Sequence, residues 1–465
     1  MIDVSAFLNQ TNGKPVAVFG LGLSNRAVIK ALRAAGAAVA AWDDHPDNRA
    51  KIDPSLLVDL SATDDFTVFS CLVLAPGVPL YAPAPHPVVE KAKKAGIEIM
   101  CDLEILHRCG HGRKTIGVTG TNGKSTTTAL IGHILKSCGV DTQVGGNIGK
   151  AALDLDMPAR DGVFVFEISS FQLDLCIDFA PDIAVHLNIT PDHLDRHGDM
   201  AGYAAAKQRI FRGRGHAVIG MDDEWSRQMA ESVASDGIRD VTALSVLKSC
   251  CPGVYVSDAH LFDAMDGGDP RPVAVMDFPA LPGLHNYQNA AAAYAAARLI
   301  GLDPAQVIAA MADFPGLPHR QYNVRQIGGV CYVNDSKATN AAAAARALAC
   351  YDHIYWIVGG RAKEGGLTGL EPYAGVIRRA YLIGEAAGLF RSWFEDNNIA
   401  YEMSGTLARA VADAHRAACE ECSQTGDMAA VLLSPACASW DQFDNFEQRG
   451  ACFTALVDSL PGEAP

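Results

Sequence analysis

No apolar run in this 465-residue chain approaches the ~20 residues that span a bilayer, so no membrane helix is expected. Basic residues are outnumbered, 38 Lys and Arg against 53 Asp and Glu, and the formal charge of -15 lacks the basic footprint that wholesale nucleic-acid binding requires. Anionic ligands must then be met by local positive sites. The 13 cysteines are odd in number and show no disulfide-like spacing, which fits reduced, mostly buried thiols. Met1 to Gln10 has neither a basic start nor an apolar core of signal-peptide length, so a cytoplasmic location is expected and Asn188-Ile189-Thr190 is not read as a glycan site. Internal repeats and long low-complexity tracts are also missing, which excludes a solenoid.

What is present is an ordinary soluble composition, 49% hydrophobic and 20% charged, on a chain long enough for about three domains. Short apolar strands alternate with helical segments throughout, which predicts an α/β protein. In the first hundred residues, strands are expected at Val16 to Phe19, Val39 to Trp42, Cys71 to Leu74 and Ile97 to Met100, with a helix over Asn25 to Ala35. A second sheet should start at Thr115 to Thr119, with a helix from Ser125 and buried strands at Val163 to Ile168 and Ile183 to Asn188. Helices are expected over Asn286 to Leu299 and Pro304 to Met311. Phe314-Pro315-Gly316-Leu317-Pro318 then has the chemistry of a linker. Beyond it, strands are expected at Val330 to Asn334, Ile354 to Val358, Tyr381 to Ile383 and Ala429 to Leu433. The reading is a Rossmann-like N-terminal domain (1–101), a central P-loop ATPase-type domain with a mainly parallel sheet (102–316) and a Rossmann-like C-terminal domain (317–465).

The strongest chemical signal is Gly117-Val118-Thr119-Gly120-Thr121-Asn122-Gly123-Lys124-Ser125-Thr126. Val118 stands where the strict Walker pattern wants its first glycine. Backbone N–H groups around Gly120 and Gly123 and a helix N-terminus still make an anion nest, with Lys124 for the outer phosphates and Ser125 for magnesium. Glu167 ends one buried strand and Asp192-His193-Leu194-Asp195 follows another. Both should open at the carboxyl edge of the sheet beside this loop, where carboxylate and imidazole suit a metal. Gly20-x-Gly22 follows a strand as a dinucleotide fingerprint does, but Asn25 occupies the third glycine position. A nucleotide diphosphate there, with Asp43 or Asp44 near its far ring, is as good a reading as NAD, and a plain turn is a third. Asn334-Asp335-Ser336-Lys337-Ala338-Thr339-Asn340, with His319-Arg320, puts polar groups at a strand end that could close over ATP or simply cap a helix. Cys419-Glu420-Glu421-Cys422 lacks a second pair and is read as helix spacing, not as a metal site.

Taken together, Gly20 to Ser24, Gly120 to Thr126, Gly145-Gly146-Asn147-Ile148-Gly149, Glu167 to Gln172, Asp192 to Arg196, Gly316 to Arg320, Asn334 to Asn340 and Leu433 to Phe446 resemble the Mur ligases of peptidoglycan synthesis. The likeness runs over essentially the whole chain, and is strongest to members that add D-glutamate to UDP-N-acetylmuramoyl-L-alanine. It implies that the three domains hold the uridine nucleotide, ATP and the incoming amino acid. It implies UDP-substrate contacts at Gly22, Leu23, Ser24, Asp43, Asp44, Gly77, Asn147 and His193. ATP contacts are implied at Gly120, Thr121, Asn122, Gly123, Lys124, Ser125, Thr126, Asn286, Asn289, Arg320 and Asp335. D-Glutamate contacts are implied at Thr339, Lys363, Ser439 and Phe446. Magnesium would be held by Ser125, Glu167, His193 and Lys207, the last as a carbamate made with CO2. Lys124, His193, Lys207 and Lys337 would be catalytic. Three positions depart from the family pattern: Ala75 for a serine, Gly359 to Gly365 for the usual glycine-aspartate-glycine-lysine, and Trp440 for a leucine.

The expected reaction is transfer of the ATP γ-phosphate to a carboxylate and attack by an amine on the acyl phosphate, in a chain expected to be a monomer. Rivals are a folylpolyglutamate-type ligase, disfavoured by the N-terminal nucleotide domain, and the ligase adding the next cell-wall residue, disfavoured by the lack of a D-N-P-R motif. An NAD-dependent oxidoreductase, disfavoured by the broken glycine fingerprint, and a non-catalytic nucleotide-binding module are the readings from other classes.

Overall fold

The computed structural model describes residues 2–462 and contains three sheets. In the first, β1 (Val16–Phe19), β2 (Val39–Trp42), β3 (Cys71–Leu74) and β4 (Glu98–Met100) run parallel in the order β2-β1-β3-β4. Their buried apolar runs, such as Val-Ala-Val-Phe in β1, match the continuous hydrophobicity of strands covered on both faces. The helix after β1 starts at Leu23, ahead of the expected Asn25, because the extended Gly22 serves as its N-cap.

The second sheet has nine strands: β5 (Lys114–Thr119), β6 (Thr142–Gly146), β7 (Val163–Glu167), β8 (Ile183–His186), β9 (Gly215–Gly220), β10 (Arg239–Ser245), β11 (Gly253–Ser257), β12 (His260–Ala264) and β13 (Arg271–Val275). Their order is β13-β12-β11-β10-β9-β8-β5-β7-β6. β6 to β11 pair in parallel, and β12 and β13 form an antiparallel edge. β5 lies between β7 and β8, so the chain leaves it at a switch point, where loops splay and open a crevice beyond the strand ends. The six strands β6 and β9–β13 carry no clear sequence signal. β6 reads Thr-Gln-Val-Gly-Gly and β13 Arg-Pro-Val-Ala-Val, where glycine and proline mask the β pattern.

The third sheet joins β14 (Tyr322–Ile327), β15 (Val330–Asn334), β16 (Ile354–Gly359), β17 (Ile377–Ile383), β18 (Tyr401–Gly405) and β19 (Ala429–Leu433) in the order β14-β15-β19-β16-β17-β18. Only β14 is antiparallel, hairpinned to β15 through Gly328-Gly329, both at positive φ. The chain forms two compact units. One comprises the chain up to Asp277 plus Asn286–Asp313 and holds the first two sheets; the other comprises Phe278–His285 and the chain from Phe314 onward. Among the described residues no helix is long and apolar enough to cross a membrane.

Candidate active site

The phosphate loop leaves β5 at Thr119 and enters the helix Lys124–Ser137. Gly123 caps that helix at φ +83°, and a Cβ there would lie 2.1 Å from the Asn289 Oδ1, so both backbone conformation and space demand glycine. Lys124 Nζ donates to the carbonyls of Gly120 and Thr121, each at 2.9 Å, which lays the ammonium along the loop. Ser125 is buried and Thr126 half-buried in the first helical turn. Asn122 N–H donates to Asn188 Oδ1 at 2.9 Å, and Thr121 Oγ1 lies 3.2 Å from the Tyr203 hydroxyl. Asn289 accepts from Thr127 Oγ1 at 3.2 Å and donates to Asn286 Oδ1 at 2.9 Å, so both asparagines of the helix Leu284–Ile300 stand at the back of the loop.

Beside the loop opens a cavity of about 580 Å³. It gathers Gly22, Leu23 and Ser24 from the first sheet's leading turn, Gly77 from the loop after β3, Asn147 from the loop after β6, and Lys124, His193 and Lys207. Leu23 is 55% exposed, an apolar surface at a polar rim. Asn147 Nδ2 donates to Glu167 Oε1 at 2.7 Å, and Glu167 Oε2 is buried with no partner among the described residues. A buried, half-satisfied carboxylate beside a phosphate loop is the oxygen donor a hard divalent cation takes, and the buried Ser125 hydroxyl is a second. No group of three His, Cys, Asp or Glu placed to hold a metal occurs among the described residues.

His193 sits at φ +53°, with its ring 4.8 Å from that of Phe171. Lys207 is 1% exposed and donates to Gly120 O at 2.8 Å; burial, then the charge of Lys124, holds its amine well below the usual lysine range, against a smaller opposing pull from Asp192. His197, 3.0 Å from the Ser170 hydroxyl, is pushed down to about 4 by burial and then by the charges of His193, Lys207 and Arg196.

Asp43 and Asp44, also expected to contact the nucleotide, are not among the residues that line this cavity. The Asp43 carboxylate is buried and accepts from the N–H groups of Leu21 (2.6 Å) and His45 (2.8 Å) and from Asn48 Nδ2 (3.1 Å), so it braces the leading turn from behind. Asp44 accepts from His86 Nε2 at 2.9 Å, since His86 Nδ1 already accepts from Val88 N–H. Asn25, at the third fingerprint position, is buried and donates to the carbonyls of Phe19 and Gly20, closing the turn that a glycine would leave open.

The second unit has its own polar cluster at the ends of β15 and β19. Asp335 accepts from Ser434 Oγ at 2.8 Å and Gln321 N–H at 3.2 Å, and burial raises its carboxyl to about 7 despite the nearby charges of Arg320 and Arg346. Lys337 Nζ lies 4.7 Å from the centre of the Phe446 ring, Lys363 Nζ is 3.4 Å from Thr339 Oγ1, and the buried Ser439 hydroxyl has no partner among the described residues. Trp440 is 66% exposed next to it. The Cys419 thiol lies 3.5 Å from His415 Nδ1, which also faces the Tyr332 hydroxyl at 2.5 Å.

The model of the Mur ligase middle domain matches residues 118–297. UDP-N-acetylmuramoylalanine–D-glutamate ligases of Caulobacter vibrioides and Rhodospirillum rubrum are each 47% identical to the chain, covering 99% and 97% of it and 98% and 96% of the relatives. That of Rhizobium meliloti is 46% identical, over 99% of both. The chain belongs to the Mur ligase family. Among solved structures, MurC of Thermotoga maritima aligns over 96% of the chain and 99% of its own with a TM-score of 0.57 at 17% identity. MurF of Acinetobacter baumannii aligns over 78% and 82% with a TM-score of 0.54 at 18% identity. Both speak for the Mur ligase fold, and the oxidoreductase reading of the leading turn falls away.

Phe171 and Tyr203 of this Mur ligase also line the cavity but carried no independent signal in the sequence. Tyr203 could have been found from spacing. It precedes Lys207 by four residues on the helix Met200–Gln208, which puts both on one face.

Proposed function

We propose that the protein uses ATP to join D-glutamate to the L-alanyl carboxylate of UDP-N-acetylmuramoyl-L-alanine, in the cytoplasm, as a monomer acting on neither nucleic acid nor membrane. The observation that carries this is the single cavity in which the leading turn, Asn147, His193, Lys124 and Lys207 converge. Its mixed lining suits a long substrate with a diphosphate at one end and a carboxylate at the other. In this reading residues 1–101 hold the uridine nucleotide, 102–316 hold ATP and 317–465 hold the amino acid.

Gly22, Leu23, Ser24, Asp43, Asp44 and Gly77 would receive the nucleotide end, while Asn147 and His193 face the alanyl end. Gly120 to Thr126 would cradle the ATP phosphates, Lys124 offsetting charge on the transferring phosphoryl group and the helix N-terminus adding its dipole. Asn286, Asn289, Arg320 and Asp335 complete the ATP contacts. Ser125, Glu167, His193 and the carbamate of Lys207 would hold magnesium, which when bound neutralises phosphate charge. The depressed basicity of Lys207 supports that carbamate: an unprotonated amine can form an N–C bond to CO2 and release a proton, turning a buried cation into an anion.

An oxygen of the alanyl carboxylate attacks the γ-phosphorus in line, the bond from that phosphorus to the β–γ bridging oxygen breaks, and ADP leaves. Lys337 then stabilises the acyl phosphate, and Thr339, Lys363, Ser439 and Phe446 hold D-glutamate. The amine nitrogen attacks the acyl carbon, the carbon–oxygen bond to phosphate breaks, and the nitrogen sheds a proton, leaving an amide and inorganic phosphate. The test is phosphate release from ATP with UDP-N-acetylmuramoyl-L-alanine and D-glutamate, L-glutamate, meso-diaminopimelate or no amino acid. Release with D-glutamate alone is expected. Release with a different acceptor moves the chain within the family, and none at all overturns the reading.

A further inference from the structure

Resting on that substrate reading, we propose that Arg196 is a positioning residue that sets the separation between the nucleotide half and the acyl half of the substrate cavity. Its guanidinium bridges two segments that both line the cavity, one through Pro76 and Gly77 and the other through Phe171. Nη1 donates to Gly77 O at 3.1 Å, while Nη2 donates to Pro76 O at 3.0 Å and to Val78 O. The carbonyls of Pro76, Gly77 and Val78 therefore converge on one planar fork, whose two separated nitrogens present donors in a fixed geometry that the single nitrogen of an ammonium does not reproduce. On its other side the guanidinium lies 4.9 Å from the centre of the Phe171 ring, which in turn packs against His193 at 4.8 Å and His197 at 5.4 Å.

The loop it holds is tied onward to the leading turn. A Cβ at Gly20 would fall 2.6 Å from the Ala75 Cβ and 3.3 Å from Val78 Cγ2, so the turn and the loop after β3 are in direct contact. Leading turn, loop 75–78, Arg196, Phe171 and His193 thus form one continuous chain of contacts around the cavity. The arginine spends its donors on backbone carbonyls. Its facing charges, Asp174 and Asp195, only partly offset the burial that lowers its basicity. A half-buried cation that spends its donors on neutral backbone carbonyls gains little as a stability device and is explained by the geometry it imposes.

The role predicts a loss that depends on the substrate having both halves. Wild type, Arg196→Ala and Arg196→Lys are compared on UDP-N-acetylmuramoyl-L-alanine and on nucleotide-free N-acetylmuramoyl-L-alanine, each with ATP and D-glutamate. The ratio of the two kcat/KM values in wild type measures how much the nucleotide half assists the reaction. Arg196→Ala should lower that ratio at least about tenfold, the scale of one lost charge-assisted hydrogen bond. The KM for ATP should stay unchanged, and Arg196→Lys should fall between. Equal fractional losses on both substrates would make Arg196 merely structural and overturn the inference, as would no loss at all. If the alanine variant fails to fold by circular dichroism, the lysine variant, which keeps the charge and loses the fork, decides by the same ratio. Wild-type inactivity on the full substrate would instead sink the functional reading, and the inference with it.

Discussion

At the scale of single residues, the site is built from charges placed where they are least comfortable. Lys207 is the extreme case, an amine almost fully enclosed beside the Lys124 ammonium. If its neutral form takes up CO2, activity in carefully CO2-stripped buffer should fall and return on adding bicarbonate. Lys207→Arg, which stays cationic, should be inactive under both conditions, whereas full wild-type activity without CO2 would end the carbamate proposal. Lys124→Ala should cut kcat by about 10²- to 10³-fold, the range for a transition-state charge contact; a drop confined to the KM for ATP would instead mean uniform binding.

Asp335 shows the opposite sign. Burial raises its carboxyl from the ordinary aspartate range near 3.8 to about 7, so the folded protein holds a proton that the unfolded chain releases, and its contribution to stability falls as pH rises between those values. The stability of Asp335→Asn relative to wild type should therefore improve from pH 4 to pH 7 and level off above, measured by urea unfolding at fixed ionic strength. A difference that does not change with pH would refute the assignment.

At the scale of elements, the site depends on strand ends and the turns that leave them. Gly123 must adopt φ +83° while Asn289 presses against the position of its missing side chain. Gly123→Ala should thus disturb both the loop and the helix Leu284–Ile300, with a stability loss on the order of 2 kcal/mol and a higher KM for ATP. A different element role belongs to Arg239, at the start of β10. It is 4% exposed and donates to the carbonyls of Pro181, Phe211, Arg212 and His216, pinning the segments that lead into β8 and β9 to the start of β9. Arg239→Met should cost on the order of 3 kcal/mol by chemical denaturation, because several carbonyls lose their donors at once.

At the scale of the molecule, the chain folds as two compact units of unequal size, with Phe278–His285 belonging to the second although the flanking sequence belongs to the first. Two units should unfold in more than one calorimetric step. UDP-N-acetylmuramoyl-L-alanine should raise the transition of the larger unit by about 2.7 kcal/mol at a hundred times its Kd, while leaving the other in place. A single transition moving as one would show the units to be energetically fused.

The sequence by itself determined the α/β class, the glycine-bearing strand-to-helix turn at Gly120 to Lys124 and the strand-end placement of Glu167 and Asp335, because these are local properties of buried runs and turn chemistry. It also carried the family, through motifs in fixed order. It did not determine β6 or the edge β9–β13, whose glycine, proline and polar residues are held in strand by neighbouring strands and not by their own propensity. Nor could it show that Asp43 accepts from the Leu21 N–H, or that Phe171, Tyr203 and Lys207 enclose one cavity with Leu23 and Asn147. Those facts depend on which chain segments meet across the first two sheets. The burial that turns an ordinary lysine into a reluctant cation exists only once the tertiary structure has excluded water, and the contacts that join an arginine to three distant carbonyls exist only once that structure has brought their segments together.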